Sequence, residues 1–94
     1  MNSISIKDLL NINNITIIDI RPNYEYQYGS IPTAINIPAI KLKNNPSKYL
    51  NKNETYYLLC QTGRQSLDLV TILNLQGFHT VNITGGYNNY LLSK

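Results

Sequence analysis

Apolar positions along the chain gather into short runs, and polar or glycine-containing stretches separate them. In residues 14–20 (NITIIDI), Ile15, Ile17, Ile18 and Ile20 leave almost no polar alternation. Such β-branched, nearly continuous apolarity is how a strand covered on both faces reads, so this run is expected at the centre of a parallel sheet. The run Thr55–Leu59 (TYYLL) has the same character, while residues 3–5, residues 34–38 (AINIP) and His79–Ile83 (HTVNI) read as shorter or outer strands.

Between these runs the period lengthens. Ser5 followed three residues later by Asp8 resembles a capping box with Asp in place of Glu, and it opens a short helix through Lys7, Leu9 and Leu10. After Pro22, the segment NYEYQYG forms a helical turn ended by Gly29. Residues 44–54 read as loop with one helical turn after Pro46, and Lys41, Lys43, Lys48 and Lys52 belong to a solvated loop region. Residues 66–76 (SLDLVTILNLQ) have helix length, with Asp68, Thr71 and Asn74 as one narrow polar stripe and Gly77 at the C′ position. That stripe predicts a mostly buried helix. The double glycine of TGGYNNYLL leads into a C-terminal helix. Strands alternating with helices predict an α/β fold with a mainly parallel sheet, whose sites lie beyond the carboxyl ends of the strands.

Length and composition narrow the picture. Ninety-four residues, 43% of them hydrophobic, suit one domain that folds without staples. One cysteine excludes an internal disulfide, and one Cys with one His, His79, cannot complete a four-ligand zinc site, so no metal is expected. The start of the chain lacks a basic segment followed by an apolar one, and no run approaches the roughly 18 apolar residues of a membrane span. A soluble, cytoplasmic protein without a membrane partner is the expectation. The net charge of +3 is mild and arginines are scarce, which argues against a nucleic-acid partner.

The single cysteine, Cys60, directly follows the TYYLL strand and precedes a helix. A helix start offers free N–H groups and the positive end of the helix dipole, both of which favour an anion such as a thiolate. Arg64 adds a full charge, Gly63 lets the backbone curl, and Thr62 and Ser66 bring hydroxyl donors. The surroundings predict a reactive sulfur, although a lone Cys at a strand end also serves as a small hydrophobe. Asp19 and Arg21, two apart at a strand end, are either a pair facing the site or an ion pair that orients the loop, and the second reading is favoured. His79 reads as a surface residue, and the eight tyrosines as packing.

The segment CQTGRQS, residues 60–66, resembles the active-site loop of the rhodanese sulfurtransferases, which runs Cys-x-x-Gly-x-Arg-Ser or a close variant. Residues 18–38 (IDIRPNYEYQYGSIPTAINIP) are similar to that family's upstream signature, with Asp19 and Arg21 in its Asp-x-Arg position. Residues 75–90 resemble its closing segment with a Gly-Gly pair. The resemblance implies one rhodanese-like domain over residues 1–94, with a mainly parallel five-stranded sheet and helices on both faces. It implies a thiosulfate:cyanide-type sulfurtransferase that carries sulfane sulfur as a Cys60 persulfide. The donor would be thiosulfate or a protein persulfide, and the acceptor a thiol or cyanide. Cys60 is carried over as the nucleophile, and Gln61, Thr62, Gly63, Arg64, Gln65 and Ser66 as the substrate-binding cradle, with Asp19 and Arg21 in support. No cofactor is implied.

Two departures stand out. Ser30 occupies the place of the family's usual His, and Gln65 stands where many members have Arg, leaving Arg64 as the loop's only cation. A docking or sulfur-relay module without much activity on small donors is the alternative reading. A phosphatase or arsenate reductase is expected less, because those loops need Cys-x5-Arg, whereas Ser66 is the sixth residue after Cys60.

Overall fold

Ile17 and Ile18 are neighbours in sequence and point to opposite faces of one strand, as the period of two requires, and both are buried. Each belongs to a different hydrophobic cluster. The sheet is therefore covered on both sides, which is why this strand shows no polar alternation. The computed structural model describes residues 2–94.

The elements run β1 (Ser3–Ile4), α1 (Ile6–Leu9), β2 (Thr16–Asp19), α2 (Asn23–Tyr28), β3 (Ile35–Asn36), α3 (Ala39–Asn44), α4 (Pro46–Tyr49), β4 (Thr55–Leu59), α5 (Arg64–Leu75), β5 (His79–Ile83) and α6 (Gly86–Leu92). The strands form one parallel sheet in the order β1-β5-β4-β2-β3. One cluster joins Leu42, Leu50, Leu69, Val70 and Leu73 from α3, α5 and the turn after α4 to Ile18, Tyr56 and Leu58 of the sheet. The other joins Ile6, Leu9 and Tyr90, from α1 and α6, to Ile17, Leu59 and Ile83. At about 2 kcal/mol for each fully buried Leu or Ile, these two layers hold the sheet in place. Ser5 caps α1 by accepting from the Asp8 amide at 3.1 Å.

Several expectations change. Lys41 and Lys43 lie on a helix, α3, rather than in a loop, because Pro38 starts it and Leu42 anchors it with a fully buried side chain. The helix expected at 66–76 begins two residues earlier, since Gly63 takes a left-handed conformation (φ 90°) and ends the loop at once. It is buried on one face only: Ser66, Leu69, Val70 and Leu73 face inward while Leu67 and Leu75 are exposed. The apolar width of the sequence overstated its burial. The strand expected at 34–38 narrows to Ile35–Asn36, yet its backbone stays tied to β2 through Ile37 N to Asp19 O (3.1 Å) and Ala39 N to Ile20 O (2.9 Å).

The order of the strands decides where a site can form. From β2 the chain leaves toward β3 at one edge, and from β4 toward β5 on the other side, so adjacent β2 and β4 form a topological switch point. Beyond Asp19 and Leu59, where their pairing ends, the two chains leave in opposite directions, which is where a parallel α/β sheet opens its binding crevice. Asp19 ends β2, and Cys60 follows β4.

Candidate active site

Cys60 lies beyond the last hydrogen-bonded residue of β4, with 2% of its surface exposed. Its Sγ accepts from the Gly63 amide at 3.1 Å and from the Ser66 amide at 3.3 Å, and lies 3.0 Å from Ser66 Oγ. Ser66 is the third residue of α5, and no side chain caps that helix in the usual way. The sulfur fills the role instead, accepting from the third amide as an N-cap oxygen would. The amides of Arg64 and Gln65, first and second in the helix, have no intrahelical acceptor by position. In the chain they lie between the two amides that reach the sulfur, at the positive end of the helix, in a setting that favours negative charge.

Two glycines allow this closeness. Gly63 has φ 90°, and a Cβ there would meet Gly85 N at 2.7 Å. A Cβ at Gly86 (φ 59°) would collide with the backbones of Cys60 and Gln61. The first turn of α6 thereby reaches the loop, and Tyr87 N donates to Cys60 O (2.9 Å) while Asn88 N donates to Gln61 O (3.1 Å).

Asp19 and Arg21 form a buried ion pair on the β2 side of the crevice, exposed by 0% and 4%. Arg21 Nη2 donates to Asp19 Oδ2 at 2.8 Å, and Nε to both carboxylate oxygens at 3.1 and 3.2 Å. The Arg21 amide and the Ser30 hydroxyl complete the shell at 3.0 and 2.7 Å. Ser30, in the place of the family's His, thus bonds the Asp19 carboxylate. The remaining Arg21 donors reach outward, Nη2 to Gly29 O (2.6 Å) and Nη1 to Gln61 Oε1 (3.0 Å), and the guanidinium lies 4.4 Å from the Tyr87 ring centre. Gln61 Nε2 in turn donates to Asn88 Oδ1 (2.6 Å). Burial opposes the guanidinium charge, but the hydrogen bonds and charge of Asp19 outweigh it and raise its pKa above the ordinary value.

The fold brings the residues of the 60–66 loop together with Asp19 and Arg21. Cys60, Gly63 and Ser66 are buried, while Thr62, Arg64 and Gln65 are exposed at the mouth. Among the described residues the Arg64 side chain makes no hydrogen bond or ion pair, so its charge stays available to an incoming anion. Asp19 and Arg21 do not face the sulfur; they brace the loop through Gln61. His79, exposed at the amino end of β5, lies outside the site. Sequence reading missed Asn82, which accepts from Ser66 Oγ, together with Tyr87 and Asn88, and noted Ser30 without its Asp19 partner. The one signal for Asn82 was a polar residue set between Val81 and Ile83 at the carboxyl end of β5.

A family model described as Rhodanese-like domain matches residues 4–93. The protein YtwF of Bacillus subtilis (strain 168), which carries a sulfurtransferase name, is 36% identical over 72 residues, covering 74% of this chain and 67% of its own. The thiosulfate sulfurtransferase PspE of Escherichia coli (strain K12) is 33% identical over 78 residues, covering 82% and 75%. Among solved structures, a rhodanese-like domain protein from Staphylococcus aureus superposes with a TM-score of 0.86 at 34% identity, covering 96% of this chain and 91% of that one.

Proposed function

Because the chain belongs to the rhodanese-like domain family, we propose that it is a sulfurtransferase that carries sulfane sulfur on Cys60. The observation that carries the reading is the Cys60 sulfur itself, held at 3.1 and 3.3 Å by two loop amides at the start of α5. In the proposed cycle the Cys60 thiolate attacks the outer sulfur of thiosulfate, the S–S bond breaks, and sulfite leaves with the electron pair. A thiolate or cyanide acceptor then attacks the outer sulfur of the persulfide, and the Cys60 thiolate leaves. The free amides of Arg64 and Gln65 and the charge of Arg64 would hold the terminal sulfur anion, as an anion hole does. Gln61, Thr62, Gly63 and Ser66 complete the cradle, and Asp19 and Arg21 keep it in place.

The loop argues against phosphate chemistry. Six amides and an Arg at the sixth position are what a phosphate-sized oxyanion needs, and here Ser66 stands at that position with its hydroxyl turned inward. A carrier fed by a partner's persulfide is the second reading. It is favoured by Gln65, which leaves Arg64 as the only cation of the 60–66 segment for a doubly charged small donor.

Mass spectrometry of the intact, reduced chain before and after thiosulfate tests the proposal, with Cys60→Ser alongside. A gain of one sulfur atom, absent in C60S and removed by cyanide, is expected. Loading only from a protein persulfide would select the relay, and no loading from either source would overturn the proposal.

A further inference from the structure

Ser66 has one hydroxyl proton and two neighbours that compete for it. Its Oγ lies 3.0 Å from Cys60 Sγ and donates to Asn82 Oδ1. With the proton committed to Asn82, Ser66 can offer the sulfur only a lone pair, which suits a protonated S–H donor. An anionic sulfur has no proton to give and needs Ser66 as donor. Asn82 can meet both demands, because turning its amide replaces the acceptor oxygen with the Nδ2 donor and releases the hydroxyl proton toward sulfur. Among the described residues the Asn82 side chain makes no hydrogen bond other than that with Ser66. No third group therefore locks either orientation. The residue is 4% exposed, in the middle of the sheet, with backbone partners on β1 and β4.

We propose that Asn82 is a positioning residue for the Cys60 site: through Ser66 it sets whether the hydroxyl accepts from the thiol or donates to the sulfur anion. The inference rests on the sulfur-transfer reading for its purpose, since a transfer cycle passes repeatedly through anionic sulfur. Its test does not rest on that reading.

The test is the rate of Cys60 alkylation by iodoacetamide as a function of pH, in the full chain, for wild type, N82D, N82A, S66A and the double variant S66A/N82D. Asp has the size of Asn, but an ionised carboxylate only accepts, so N82D captures the hydroxyl proton wherever its carboxyl is ionised. The expected result is a loss of roughly tenfold or more near neutral pH in N82D, with its profile displaced to higher pH. N82A frees the hydroxyl to rotate and loses only about a few-fold. In the S66A background the N82D loss should shrink sharply, because the connection has been removed. If Asn82 merely fills space, N82D matches wild type and N82A is the slowest, which overturns the proposal. An N82D loss of the same size with and without Ser66 also overturns it, since the charge then acts on sulfur directly. Should N82D not fold, N82L repeats the comparison at similar volume: behaviour like N82A supports the proposal, and behaviour like wild type ends it. A wild-type chain that never loads sulfur, while the alkylation order holds, removes the functional reading and leaves the role of Asn82 standing.

Discussion

Arg21→Ala breaks the buried ion pair that braces the cysteine loop. Asp19 is fully buried and would lose its Nε and Nη2 contacts, retaining only the Arg21 amide and the Ser30 hydroxyl. Removing one partner of a buried ion pair typically costs 3–5 kcal/mol because the other charge is left uncompensated. The two remaining donors place this case near the lower end, at about 3 kcal/mol. Domains hold roughly 0.05–0.15 kcal/mol per residue, so a chain of this length would lose between about a fifth and more than half of its stability. The melting temperature should drop by about 12 °C or more. Urea unfolding followed by far-UV circular dichroism measures the change, with an unaltered m-value as the control for compactness. The raised pKa fixes the pH behaviour: the guanidinium's contribution is fully present below its ordinary value and lost only as pH rises through the still higher folded value. The deficit attributable to Arg21 losing its charge therefore stays constant across neutral and mildly alkaline buffers. Removing both charges in D19N/R21A should recover part of the loss. A deficit under 1 kcal/mol in R21A, or a double variant no better than the single one, would refute the reasoning.

The other expectations follow from the loop. Because the Cys60 sulfur caps α5, Cys60→Ala leaves the Gly63 and Ser66 amides without their acceptor and should destabilise by about 1–2 kcal/mol in the same urea assay. C60S keeps an oxygen acceptor, so it should lose less stability while losing transfer. Gly86→Ala, at φ 59° and against the Cys60 backbone, should cost about 2 kcal/mol or more and slow Cys60 alkylation; a fully active, stable G86A would contradict the close approach. Gln65→Arg adds a second cation at the exposed mouth and should let thiosulfate saturate loading at a several-fold to tenfold lower concentration, an advantage that high salt erases. Hydrolysis of an aryl phosphate should stay at background in wild type and in Q65R, and robust turnover would refute the argument from loop size.

Much of this protein is local, and what is local was legible in the chain. The uninterrupted isoleucines of β2 declared a strand covered on both faces, because a strand with one wet face must alternate. The glycine after Cys60 and the apolar helix beyond it placed a thiol at a helix start, since capping and turn chemistry act within a few residues. Where local signals conflicted, reading failed: Lys and Asn around α3 looked like loop until Leu42 found its place against the sheet. Partners 40, 16 and 27 residues apart were out of reach, namely Arg21 with Gln61, Ser66 with Asn82, and Gln61 with Asn88. Only the strand order brings β2, β4, β5 and α6 to one crevice, and burial there turns ordinary Asn, Ser and Arg side chains into obligatory hydrogen-bond partners. The sequence by itself determined that there is a thiol at the mouth of a parallel sheet. The tertiary structure decided which groups hold it, because a buried polar atom must find a partner and only the packed chain supplies one.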